Sequence, residues 1–400
     1  MTNSQPAGPL DGVRVLDLTV IMSGPIATMM LADQGADVIK IEPPHGDLLR
    51  KLGHRHQGMS GSFLSCNRSK RSLCVDVKTP AGLDIVRKLA ATADVLVQNY
   101  RPGAIERMGL GEDIIREIRP DIIYVSMSGF GENGPYAHQR VYDPVIQAIS
   151  GLADVQRDRE TGEPRMVRTV VPDKTTAVTA AQAISAALFA RERTGRGQHI
   201  RLSMFDTMVA YLWPEASSSL SFVGNERDPA FGQLGLDLVF RTRDGHITAG
   251  ALSDAEWAGM CRAFGREDLI NDPRFLTAAS RSANIVERRQ VMSDEIAKWT
   301  RDVILARLDA EGVPSAPVLD RTEVLENAQS INNEIFEIRQ DAAAGEIRQP
   351  RPAARFSATP ASVRSGAPVL GADNAEILGE LGFAPDTIRS FEEDAVIHKE

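Results

Sequence analysis

Over roughly its first 130 residues the chain alternates short runs rich in Val, Ile and Leu with helical stretches. The β-rich runs are "VRVLDLT", "ADVIKIE", "RSLCVDVK", "DVLVQNY" and "DIIYVSMSGFG"; the helical ones are "GPIATMMLADQG", "PAGLDIVRKLAATA" and "GEDIIREIRP". Near-continuous apolar strands separated by helices are what a parallel sheet covered on both faces requires. The reading is therefore α/β: a Rossmann-like, doubly wound large domain. A long alanine-rich helix after Asp173 and the strand "GQHIRLSMFD" extend the same layer, with the glycines of "TGRGQ" stopping the helix between them.

After about Pro214 the composition turns to Ser, Gly and Pro, which reads as an irregular connection. The DG turn in "LDLVFRTRDGHITAGAL" predicts a hairpin, and helices follow as far as "VILARLDAEG". The expected organisation is 1–213 for the first part of the large domain and 225–320 for a smaller α+β domain. Residues 330–400 are read as a connection and a return to the large domain, with 340–365 a surface connection and "AEILGELGF" a short amphipathic helix.

Lys+Arg 45 against Asp+Glu 54 gives a net charge of −9, the wrong sign for a nucleic-acid partner. The start "MTNSQPAGPL" has no export pattern, and no run nears the ~20 apolar residues a membrane span needs. Cys66, Cys74 and Cys261 are odd in number and lack a CxxC, which fits free thiols in a reducing cytoplasm.

Several motifs are missing. Glu42 stands where a ribose-binding acid would close the second strand of a dinucleotide fold, but "DLTVIMSGP" lacks G-x-G-x-x-G. Neither a P-loop nor a G-x-S-x-G elbow occurs. His45, His54 and His56 have no acid or thiol at a supporting spacing, so a metal is not expected. Arg68, Lys70 and Arg71 in "CNRSKRS", with Arg101 and Arg107 in "NYRPGAIERMG", read either as solvated cations or as a phosphate clamp at strand ends.

Asp173, after Pro172 and before the long helix, reads by itself first as a helix cap, with a poised carboxylate as the alternative. The blocks "PLDGVRVLDLT", "LADQGADVIKIE", "NRSKRSLCVDVKTPAG", "ADVLVQNYRPG", "SGFGENGPY", "YDPVIQAISG", "RTGRGQHIRLSMFD" and "EGVPSAPV", in that order, resemble the class III CoA-transferases. That resemblance implies a ring-shaped subunit in an interlocked homodimer and a catalytic aspartate matching Asp173. It places coenzyme A, as substrate and product, against Val20, Met22, Lys70, Arg71, Asn99, Tyr100, Arg101 and Arg107. No permanently bound cofactor is implied, and an acyl-CoA and a carboxylic acid are the partners. An ionised Asp needs only desolvation and positioning to attack a thioester. Backbone N–H groups of "SGFGENG", including Gly129 and Gly131, are candidates for the oxyanion.

The α-methylacyl-CoA racemases of the same superfamily pair the aspartate with a histidine in "G-H-D". Here the block is "VYDP", with Tyr142 at that place, and a phenol of pKa ~10 accepts a proton poorly at neutral pH. Transferase is therefore favoured over racemase and over a non-catalytic CoA-binding protein. The run of glycines that formyl-CoA transferases carry at the start of the small domain is "FGQLGLDLVF" here. Arg165, Arg168 and Lys174 read either as holding a second substrate carboxylate or as a solvated loop.

Overall fold

The computed structural model describes residues 8–158, 161–226 and 238–399; "FGQLGLD" at 231–237 lies outside them. Six strands form one parallel sheet: β1 (Arg14–Asp17), β2 (Asp37–Glu42), β3 (Arg71–Cys74), β4 (Val95–Gln98), β5 (Ile123–Ser128) and β6 (His199–Ser203). Their spatial order is β3-β2-β1-β4-β5-β6. Strand order thus reverses between β1 and β4, which opens a crevice at their carboxyl ends.

Helices α1 (Ser23–Asp33), α2 (Pro80–Thr92), α3 (Asp143–Ile149) and α4 (Val171–Thr194) are the ones that position the site. On one sheet face α1 and α4 pack with Val15, Val38, Val97 and Val125; on the other, α2 and the C-terminal helix Asn374–Glu380 cover Leu16, Ile39 and Leu96. The buried residues of α4 include Ala177, Ala180, Ala181, Ile184 and Ala187, spaced as one helical face of mostly small side chains. Gly195 ends the helix in the left-handed conformation, φ +69, that glycine adopts without a Cβ penalty.

Chain contacts divide the protein into Met1–Glu226 with Glu334–Glu400, and Arg227–Asn333. The second unit holds an antiparallel sheet in which β7 (Val239–Arg241) pairs β8 (His246–Ala249), and β8 pairs β9 (Ser315–Pro317). Phe240, Trp257, Met260 and Phe275 form its core.

Two expectations fail here. The strand reading of "GQHIRLSMFD" ends early, because Ser203 caps a helix that starts at Met204. The segment 340–365 is more than a surface connection: β10 (Phe336–Asp341) and β11 (Gly345–Pro350) form a hairpin. Ile347 and Gln349 are its buried alternate positions on β11, a period-two signal hidden among polar residues. Beyond it, Asp373 and Asn374 accept the N–H groups of Ser72 and Cys74 at 2.7 and 2.9 Å, satisfying the outer edge of β3.

Candidate active site

A cavity of about 310 Å³ opens at the strand reversal, walled by Val20–Ser23 after β1, Asn99–Pro102 after β4 and Met127–Gly129 at the end of β5. Asp173 lines it, with Arg140, Tyr142 and Asp143 on the facing loop.

Asp173 lies inside the first turn of α4 and does not cap it, and the residue before the helix, Val170, makes no side-chain cap either. Asp143, buried at the start of α3, accepts the Asp173 backbone N–H at 3.2 Å through Oδ2, and Gln147 Nε2 holds its Oδ1 at 2.6 Å. Gln147 also accepts the Val167 N–H at 2.9 Å, tying down the segment that leads into α4. The Asp173 side chain is left free of its own helix, and the hydroxyl and backbone N–H of Ser23, at the start of α1, favour its charged form. Burial, then the neighbouring Asp143 charge, raise its pKa to about 6 against the opposing influence of Ser23.

Val20 is gripped by Asn99, which accepts its N–H and donates to its carbonyl, both at 2.9 Å. Arg101 and Tyr100 are shared with a second cavity of about 360 Å³ that Arg107 also lines. Gly129 lies where a Cβ would stand 2.3 Å from Val141 Cγ1, so only glycine lets the loop carrying Tyr142 close against β5. Tyr142 is 66% exposed at the start of α3.

Other expected site residues are elsewhere. Lys70 is fully buried: its ammonium meets Asp17 at 2.8 Å, the Pro25 carbonyl at 2.9 Å and Asn67 at 2.8 Å, so it holds no phosphate. Arg71 opens β3 at the amino end of the sheet, opposite the cavity, where it pairs with Asp37 and Glu380. Arg68 pairs with Asp33, and Glu42 with Arg50. The Gly131 N–H is committed to Ser128 Oγ at 2.9 Å, so it is no free oxyanion donor. Arg165 pairs with Asp158, and Lys174 donates to Thr169; neither they nor Arg168 line the cavity. Among the described residues no cluster of three or more His, Cys, Asp or Glu is arranged to hold a metal.

Ser23 and Asp143 were missed from sequence. Their signals were a Ser-Gly-Pro and an Asp-Pro helix start, local features that say nothing of which distant side chain each meets.

A desolvated carboxylate at the reversal point of a parallel sheet, with Arg101 beside it and Arg107 lining the adjoining cavity, defines an enzyme built for a carbonyl centre on an anionic carrier. The chain belongs to CoA-transferase family III, whose family model matches residues 10–374, and is a class III CoA-transferase. It is 36% identical to the succinyl-CoA:glutarate CoA-transferase of Mus musculus, over 93% of this chain and 86% of that one. With a succinate–glutarate CoA-transferase of Agrobacterium fabrum it shares 33% identity, over 95% of this chain and 97% of the other. The crystal structure of a CAIB/BAIF family protein from Brucella suis superposes with a TM-score of 0.83 at 31% identity, covering 94% of this chain and all of that one.

Proposed function

We propose that this enzyme moves CoA between small acids, at least one of them dicarboxylic, with Asp173 as the covalent nucleophile. The observation that carries the reading is the Asp173 carboxylate, half-buried at the cavity and freed from its own helix to face Ser23. The relatives named for succinyl-CoA and glutarate support the dicarboxylic class.

The cycle balances without an external activator. Asp173 Oδ attacks the thioester carbonyl; a C–O bond forms, the C–S bond breaks, and CoA leaves as thiolate from a mixed anhydride. The thiolate then attacks the Asp173 acyl carbon and expels the first acid as its carboxylate. The incoming carboxylate reverses both steps, ending as the new acyl-CoA with Asp173 ionised again. Arg101 and Arg107 hold the CoA phosphates, Asn99 and Tyr100 border its path, and Val20 and Met22 form the wall beside the thioester. Gly129 is the oxyanion donor retained from the glycine loop.

A racemase would need a proton acceptor opposite Asp173, and the side chain at that place is the two-thirds exposed phenol of Tyr142 rather than an imidazole. The expected result for Asp173→Ala is loss of transfer to below a few per cent with CoA affinity retained. Wild type given donor alone should carry a hydroxylamine-sensitive adduct on Asp173; transfer surviving in the alanine variant overturns the assignment.

We further propose that the subunits interlock as a homodimer. Sedimentation should find no folded monomer on dilution, and finding one refutes the interlocking. The three described cysteines are free and buried, which supports residence in a reducing cytoplasm.

A further inference from the structure

Residues Val20–Ser23 form one cavity wall, and Ser23 is the polar neighbour that favours the Asp173 carboxylate. One residue of that wall is strained: Ile21 has φ +69, in the left-handed region that a β-branched residue enters only when its surroundings compel it. The neighbours supply the compulsion. The Ile21 N–H points to the Asp47 carboxylate, 3.1 Å from one oxygen and 3.2 Å from the other. Lys40 donates to the Thr19 carbonyl at 2.9 Å and meets Asp47 at 3.1 Å, with both the Lys40 and Asp47 side chains fully buried. Asp47 is itself fixed: its N–H goes to Glu42 at 2.9 Å, and it accepts the Leu49 N–H at 2.9 Å. Neither Asp47 nor Lys40 lines the cavity, and both side chains are fully buried behind its wall. A hydrogen bond to an ionised buried acceptor is stronger than a neutral one, which suits it to hold a single strained residue.

We propose that Asp47 is a positioning residue for CoA transfer: by clamping the Ile21 N–H it keeps the left-handed turn that aims the Ser23 hydroxyl and N–H at Asp173. The inference rests on reading Asp173 as the nucleophile. Without the clamp Ile21 relaxes toward ordinary φ, the two residues after it turn, and the Ser23 donors leave the carboxylate. Arg101, on the loop after β4, and Arg107, at the end of the short helix that follows it, keep their places. The loss therefore falls on kcat more than on KM.

The test is Asp47→Asn, which keeps the shape of the side chain and removes its charge. The expected kcat is about tenfold below wild type, with KM for acyl-CoA changed less than about twofold. Adding Ile21→Gly in the same chain supplies a residue that enters the left-handed turn without strain, and should return kcat to within about threefold of wild type. If Asp47 were merely structural, removing the half-buried Ile21 side chain would harm the variant further and restore nothing. Asp47→Glu, which keeps a charge beside Lys40 but displaces the oxygens, carries the same expectation should Asp47→Asn not fold. A folded Asp47 variant with wild-type kcat, or a loss that Ile21→Gly does not reverse, overturns the proposal. Failure of the nucleophile reading shows separately, as transfer that survives Asp173→Ala.

Discussion

A carboxylate that attacks a thioester must be ionised yet poorly solvated, and Asp173 stands between those demands. With its pKa near 6 it is about nine-tenths ionised at pH 7. The acid limb of kcat/KM should therefore fall as pH drops through about 6, because the protonated form is no nucleophile. Asp143→Asn removes a charge that raises the pKa and should move that limb lower, though not to the model-peptide value, since burial is the larger cause. Ser23→Ala removes a bond that lowers it and should move the limb higher. The same shift has a stability consequence. Between pH ~4 and ~6 the folded chain binds the proton the unfolded chain has lost, so stability declines as pH rises through that window. Asp173→Asn should then be more stable than wild type by about 1–2 kcal/mol at pH 7, after allowance for partial exposure, and equal to it near pH 4. Urea titrations at both pH values check this; equal stability at pH 7 would contradict the raised pKa.

At the scale of elements, the site depends on pieces far apart in sequence meeting closely. The start of α3 caps α4 through Asp143, and the start of α1 holds the nucleophile of α4 through Ser23. The end of β5 must also pass the 137–143 loop without a side chain at Gly129. Gly129→Ala should thus cost about 1–3 kcal/mol from overpacking, with kcat/KM falling alongside as the Tyr142 loop is pushed out. Adding Val141→Ala removes the two methyl groups but leaves its Cβ at 2.9 Å, and should restore part of both. A Gly129→Ala variant indifferent to Val141 would show that the collision is not what matters.

Across the whole molecule, the two ends of the parallel sheet do different work. At the carboxyl end, loops after β1, β4 and β5 converge on one cavity; at the amino end, Arg71 joins Asp37 of β2 to Glu380 of a C-terminal helix. Arg107→Ala should weaken CoA about tenfold or more while leaving a pantetheine thioester, which lacks the nucleotide phosphates, nearly unaffected. Arg71→Ala should leave both affinities unchanged and lower only thermal stability. Calorimetric titration of each ligand into each variant separates the cases; equal loss of both ligands in Arg107→Ala would remove the clamp.

What the sequence determined by itself is local and periodic. Apolar runs such as "VLVQ" and "IYVSMS" specify strands buried on both faces, and helices between them impose parallel order, because those signals act over a few residues. The arginines of "NYRPGAIERMG" were legible for the same reason, since strand ends are where such a sheet gathers ligands. The cations of "CNRSKRS" were not. Ser69 sits at φ +62 in a tight bend, and each cation finds a different partner: Asp33 for Arg68, Asp17 for Lys70, Asp37 for Arg71. Burial of a lysine is decided by an aspartate more than fifty residues away. Asp173 shows the same division. Its carboxylate and its helix were in the sequence, but its release from capping by Asp143, its donors on Ser23 and its raised pKa exist only once three separate helix starts are brought to one crevice, because desolvation and charge act through space rather than along the chain.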